Sequence, residues 1–306
     1  MTLSKFHKNN TLRPALLLFV KLLAINAVCF LALKGLSSCT PEPVLQNPGY
    51  EPRLVIDGSI EQGDFPRVSL TYSSSYFTEI DSSKIRKLVI ASAKVTVSDG
   101  ETEEVLTLKK DARYFPPYIY QGTAIKGEIG KNYKLTVEAK NKKYTAITSI
   151  PDPAQLVNLW FELSQGSDSI GYLYGEIADD PAKSNYYRLF TKRKHKDSKF
   201  VPVYLSAVSD QYFNGKKFKF SILRGPESLT DVIDDLYFLK GDTIQVKLCT
   251  MDKAHFDFWR TLERELYVLG NPFSSSGNEI MSNIDDKTAL GVWGGYGVKY
   301  YQIIAK

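Results

Sequence analysis

The residues that most often do chemistry are scarce in this chain. There are three cysteines, Cys29, Cys39 and Cys249, and three histidines, two of which, His195 and His255, lie beyond the N-terminal segment. A cysteine nucleophile needs an imidazole or another cation beside it. His255 lies close behind Cys249, but Cys249 follows the alternating apolar run Ile244, Val246, Leu248, and His255 falls on the apolar stripe of a helix. Both therefore read as core groups. His195 belongs to the basic run Lys192-Arg193-Lys194-His195-Lys196, which ends in Asp197-Ser198 and reads as an exposed hairpin loop. Paired acids occur at Asp179-Asp180, Asp234-Asp235 and Asp285-Asp286. Such pairs can serve glycoside hydrolysis or hold Ca²⁺. Their neighbours are Pro, Ser, Asn and Lys, so solvated turns are the better reading. The chain contains no H-E-x-x-H, no G-x-S-x-G and no glycine-rich phosphate loop. The expectation is a protein that is not an enzyme, with no catalytic residue, metal site or cofactor. Aromatic residues offer a different chemistry. Trp293 and Tyr296 sit in the run Gly291-Val292-Trp293-Gly294-Gly295-Tyr296-Gly297, and Tyr172 lies in an alternating strand. They could stack on a glycan or peptide, or they could be packing residues beside strand glycines.

One spacing points to covalent modification. Leu36-Ser37-Ser38-Cys39 has a leucine three residues before a cysteine with small residues between, the spacing of a bacterial lipobox. It implies cleavage between Ser38 and Cys39 and acylation of Cys39. The segment before it supports export: Lys5, Lys8, Arg13, Lys21 and Lys34 are its charged residues, and an apolar run extends from Leu22 to Leu33. That run is too short for a bilayer, which takes about 20 apolar residues. Residues 1–38 are thus expected to be a lipoprotein signal peptide. Residues 39–53, with Pro41, Pro43, Pro48 and Pro52, form a semi-rigid tether. Cys29 leaves with the leader and Cys39 is acylated, so Cys249 has no disulfide partner in the chain.

Removing the leader also removes the charge excess. It carries five of the 39 basic residues, leaving 34 against 34 acidic ones. No net field remains to attract nucleic acid. The 268 residues left of 306 suggest two domains on length alone, and 43% hydrophobic with 12% aromatic content is enough for real cores.

The elements are nearly all strands. Val68, Leu70 and Tyr72, then Val95 and Val97, then Tyr133, Leu135 and Val137, alternate with polar residues. Asp99-Gly100 reads as a two-residue hairpin turn, and Lys140-Asn141-Lys142 as a second hairpin. Residues 54–150 are therefore expected to form an immunoglobulin-like or transthyretin-like β-sandwich. Pro151-Asp152-Pro153 is the expected boundary. Residues 151–306 form a second β-rich domain, with strands near 156–163, 170–177, 186–190, 201–208, 218–222 and 243–248. One amphipathic helix breaks the β pattern, over 251–269, with Thr250 as its cap and Gly270 as its stop. Its buried stripe reads as His255, Phe258, Trp259, Leu262, Leu266 and Leu269, with Glu263 facing away and Phe256 and Tyr267 outside the stripe.

Taken together, the lipobox, Leu54-Val55-Ile56-Asp57-Gly58, Phe213-Asn214-Gly215, Gly241-Asp242-Thr243-Ile244, the Trp259 helix, Gly270-Asn271-Pro272-Phe273, Ser282-Asn283-Ile284 and Leu290 to Tyr296 resemble a known family. They are similar to the Bacteroidota lipoproteins catalogued as domain of unknown function 4249. The resemblance implies a lipid-anchored outer-membrane protein, periplasmic or surface-exposed. It also implies an accessory or interaction role beside a TonB-dependent nutrient transporter. The alternative is a surface module that binds glycan or peptide. The resemblance supplies no catalytic or binding residues.

Overall fold

The computed structural model describes residues 50–74, 86–225, 236–268 and 279–306. The leader, Ser38, Cys39, most of the tether, Asp234-Asp235 and Gly270 to Phe273 lie outside the described residues. The strands in chain order are β1 (Leu54–Glu61), β2 (Arg67–Tyr72), β3 (Lys94–Ser98), β4 (Glu103–Val105), β5 (Thr107–Lys110), β6 (Tyr118–Gln121), β7 (Asn132–Ala139) and β8 (Lys142–Ser149). They continue with β9 (Leu156–Leu163), β10 (Ile170–Ala178), β11 (Tyr186–Arg193), β12 (Val201–Ser209), β13 (Lys217–Ile222), β14 (Phe238–Leu239) and β15 (Thr243–Met251). Helix α1 (Lys253–Val268) and the long strand β16 (Ala289–Ile304) follow. The chain is mainly β, as expected.

One eight-stranded sheet organises the rest, in the order β12-β11-β15-β16-β1-β2-β6-β5. Its neighbours are antiparallel except for β1 and β16, which run parallel with Leu54 opposite Ala289 and Glu61 opposite Tyr296. The expected boundary at Pro151–Pro153 is crossed by this sheet. The half β12-β11-β15-β16 comes from beyond that boundary and the half β1-β2-β6-β5 from before it, the two meeting at the β16–β1 pair, and residues 49–306 form one compact unit. Sequence alternation identifies strands but not their partners, and here the first strand finds its partner in the last.

Two smaller sheets cover one face of the large one. The sheet β4-β3-β7-β8 encloses a core with Ile56, Val68, Leu70, Val95, Leu135, Val137 and Trp293. The sheet β13-β10-β14, with β9 paired to β10, encloses a second core with Leu173, Ile177, Leu189, Ile244, Val246 and Leu248. Leu106 lets the chain change sheets: it is buried between β4 and β5, which belong to different sheets, and its N–H donates to the Val95 carbonyl.

The turns divide. Ala139 faces Lys142 across Lys140 (φ 48°) and Asn141 (φ 62°), so the hairpin expected at Lys140-Asn141-Lys142 is present and turns on two residues. The β3–β4 hairpin instead closes on four residues, because Ser98 pairs with Glu103. The Asp99 side chain accepts the N–H groups of Glu101 and Thr102 at 3.1 and 2.7 Å, and Gly100 takes the positive φ. In β16, Gly291 has φ 122°, and a Cβ there would lie 1.8 Å from the Ile56 carbonyl oxygen. Only glycine lets β1 and β16 close at that point.

Helix α1 packs on the opposite face of the large sheet, over Phe190, Cys249, Met251, Tyr296 and Val298. Its start is capped by Asp252 rather than Thr250: the Asp252 Oδ1 accepts the His255 N–H at 2.8 Å. Thr250 Oγ1 is used elsewhere, accepting the Ala154 N–H. The buried face is also rotated from the expected one. Phe256 and Glu263 are buried, and Leu266 is 39% exposed. Glu263 turns inward because Ser206 Oγ–H and the Ala207 N–H donate to its carboxylate. No helix among the described residues is long and apolar enough to cross a membrane.

Candidate functional site

Strand periodicity assembles the site. Side chains two residues apart share a face. The even-numbered residues of β16 from Gly294 to Tyr300 therefore face away from the small sheets, together with Asp57 and Glu61 on β1, Arg67 and Ser69 on β2, Arg188 and Phe190 on β11, and Lys247 and Cys249 on β15. Most of these residues converge on a cleft of about 470 Å³, walled on one side by His255 and Trp259 of α1 and by Lys199 and Phe200 before β12.

One group of charges is neutralised internally. Lys247 Nζ donates to Glu61 at 2.8 Å. Arg67 lies 3.6 Å from Glu61 and 3.0 Å from Asp64. Tyr300 O–H reaches the second Glu61 oxygen at 3.4 Å. Burial and this carboxylate raise the Tyr300 phenol above its ordinary range. Arg113, at the mouth, pairs with Asp111 at 2.6 Å.

The deeper groups are less complete. Arg188 is buried, and its guanidinium lies 3.4 Å from the Trp259 ring centre and 4.9 Å from that of Phe190. Its Nε donates to Ser206 Oγ at 3.0 Å and its Nη1 to Tyr296 Oη at 2.9 Å. Ser206 Oγ–H donates a hydrogen bond to Glu263, so the nearest acid on this chain of hydrogen bonds is one hydroxyl away. No carboxylate among the described residues touches Arg188 directly. Asp57 is open to the cleft and makes no hydrogen bond or ion pair among the described residues. Enclosure by protein raises its pKa, and the positive charge of Arg188 opposes that rise. Lys192 and Lys199, half-buried at the rim, also lack an ion pair among the described residues.

His255 is 1% exposed, 4.4 Å from the Tyr296 ring, with no hydrogen-bond partner for Nδ1 among the described residues. Burial, reinforced by Arg188, pushes its pKa down to about 3, so it is neutral. Trp259 Nε1 is likewise buried without a partner. Cys249 is fully buried and its thiol is pushed up to about 12. No group of three or more His, Cys, Asp or Glu among the described residues has the arrangement of a metal site.

The three aromatic candidates fall in three places. Trp293 is not a stacking platform: as an odd-numbered residue of β16 it points into the first core, is 0% exposed, and its Nε1–H donates to the Tyr133 carbonyl at 2.9 Å. Tyr296, three positions on, faces the cleft and holds Arg188. Tyr172 is half-buried on the far side of β10, near the stacked pair Trp160 and Tyr174, away from the cleft. His195 lies exposed in the β11–β12 loop with φ 65°. Asp179 accepts from Tyr187 O–H and the Gly215 N–H, and Asp285 accepts from Thr145 N–H and O–H. These acids fasten loops to strands. The sequence did not mark Asp57, Glu61, Arg188, Lys247 or Trp259 as site residues, although Trp259 fell on the helix stripe. The available signal was a charge interrupting an apolar strand: Asp57 between Ile56 and Gly58, Arg188 between Tyr187 and Leu189, Lys247 between Val246 and Leu248.

Comparison with known proteins adds family but not activity. No curated protein matches the chain. Among solved structures, bovine butyrophilin shows a likeness at 8% identity, over 67% of this chain and 93% of that one, with a TM-score of 0.18, too low to bear on the fold. The family described as Domain of unknown function (DUF4249) matches residues 42–302, and the chain belongs to that family.

Proposed function

We propose that this chain is a non-catalytic binding protein of the cell envelope, held to a membrane through acylated Cys39, that takes a polar ligand of the peptide or glycan class into the cleft between the large sheet and α1. The observation that carries this reading is a cleft of about 470 Å³ that places buried aromatic rings beside charges lacking ion pairs among the described residues. Ligand sites commonly have volumes of roughly 300–1,000 Å³, with apolar walls and a few convergent polar groups. A catalytic role finds less support, because the Cys249 thiol and the His255 imidazole are both held in unreactive neutral forms. An accessory role beside a TonB-dependent transporter extends the same reading: a tethered receptor would collect a solute and pass it on.

Two measurements test it. The mature chain carrying Cys39→Ala, so that it stays out of the membrane, is screened by thermal shift against short peptides and neutral oligosaccharides. A ligand should raise Tm, and Ser69→Trp, which fills the cleft floor, should abolish the shift. Absence of any shift across both panels, with the variant indistinguishable from the parent, would remove the binding reading. The intact lipoprotein is also recovered from gently solubilised membranes. A transporter in stoichiometric amount is the expected companion, and a lone protein would remove the accessory role.

A further inference from the structure

We infer that the cleft is built for a zwitterion, an amino acid or the free ends of a short peptide, with the ligand's ammonium on Asp57 and its carboxylate on Arg188. The inference rests on the cleft being a ligand site. It starts from which charges remain once the internal pairs are set aside. Lys247 with Glu61, Arg67 with Asp64 and Arg113 with Asp111 answer one another. Among the described residues of the cleft, the exposed carboxylate of Asp57 and the buried guanidinium of Arg188 are left over.

The base is the more costly of the two. Moving a guanidinium out of water without a carboxylate in contact is unfavourable by several kcal/mol, and the hydroxyls of Ser206 and Tyr296 are neutral. The Arg188 guanidinium lies over the Trp259 ring, 3.4 Å from its centre, at the cleft wall. Its Nη2 makes no hydrogen bond among the described residues. A planar fork held in this way is suited to a carboxylate. Asp57 is the complementary case, a carboxylate open to the cleft with no donor. Asp57 and Arg188 line the same cleft, so one ligand placed there meets both. His255 Nδ1 and Trp259 Nε1 are buried polar atoms without partners at the same wall.

Ligands of a single charge fit poorly. A simple anion would meet Arg188 but add repulsion at Asp57. A simple amine would satisfy Asp57 and leave Arg188, Lys192 and Lys199 unanswered. A neutral sugar would answer neither. A peptide with free ends answers both deep groups, and an acidic side chain would suit the two rim lysines.

The test is calorimetric, with the mature Cys39→Ala chain and defined probes: free-ended Ala-X-Ala tripeptides, the same peptides N-acetylated or C-amidated, and maltotriose. Free-ended peptides should bind, and capping either end should weaken binding by about tenfold or more. Asp57→Asn, which changes a group open to the cleft, should remove most of the penalty for N-acetylation while keeping that for C-amidation. Arg188→Lys keeps the charge but loses the fork and should weaken free-ended peptides without altering Tm greatly; Asp57→Asn carries the test should Arg188→Lys fail to fold. Equal binding of free and capped peptides overturns the inference. So does maltotriose binding without peptide binding, which leaves the binding-protein reading intact. Silence from every probe overturns the inference and counts against that reading as well.

Discussion

His255 contributes to stability with a definite sign. Its pKa is about 3 in the folded chain against an ordinary 6.5. The unfolded chain therefore takes up a proton below about pH 6.5 that the folded chain refuses until about pH 3. This contribution is complete above pH 6.5 and is lost as pH falls through that window, amounting to about 5 kcal/mol. Asp57 works the other way, since its raised pKa favours the folded state in acid and its contribution fades as pH rises above the ordinary carboxyl value of 3.8. His255→Leu, which leaves no polar atom behind, should flatten the fall of Tm between pH 6.5 and 3. An unchanged profile would mean that the imidazole is not held neutral. The neighbouring glycine sets the same ring in place. A Cβ at Gly294 would stand 2.0 Å from His255 Cε1 and Nδ1. Gly294→Ala should therefore cost about 1–3 kcal/mol in urea unfolding, the usual penalty for overpacking. A cost near zero would show that the ring can swing into the cleft freely.

At the scale of the element, the start of α1 is joined to β8 and β16 through one side chain. Asp252 caps the helix with Oδ1, while its Oδ2 accepts the Thr148 hydroxyl at 2.6 Å. That hydroxyl in turn accepts the Gly295 N–H at 2.8 Å. Asp252→Ala should therefore cost more than a surface cap, about 2 kcal/mol. Thr250→Ala should leave the helix start unaffected in amide hydrogen exchange, because Thr250 serves Ala154. The contrast shows what the sequence can tell. Apolar spacing at three and four residues located the helix to within a few residues, since that signal is local. It could not find the cap among neighbouring candidates. It also assigned Glu263 to solvent, because the partner that draws it inward, Ser206, is 57 residues away. The same limit hid the cleft. Alternation placed Asp57, Arg188 and Lys247 within strands, but their convergence depends on β1, β11 and β15 being brought near one another by β16, which local periodicity does not encode. Where the cue was local, as at Lys140-Asn141, sequence and structure agree down to the turn.

At the scale of the molecule, the parallel pairing of β1 with β16 decides how the chain can fold. Residues 54–150 contain every strand of β4-β3-β7-β8, yet the core beneath that sheet also takes in Trp293, Ala289 and Ile284 from the end of the chain. Cutting at Pro151 would empty the place of the fully buried Trp293 and expose the β1 edge along the row from Leu54 to Glu61. An edge so exposed invites aggregation, and the loss of one buried tryptophan alone is worth about 3–5 kcal/mol, comparable with the whole stability of a small domain. A fragment of residues 50–150 is therefore expected to lack cooperative unfolding and near-ultraviolet circular dichroism. Mixed with residues 151–306, it should regain both as β16 docks. In the intact chain, amides of β7 and β11 should exchange at one common free energy of opening. A folded fragment, or two separate opening energies, would show that the large sheet joins two bodies that are each stable alone. The cleft, whose charges come from both sides of Pro151, would then be an interface between them, free to widen or close without unfolding either one.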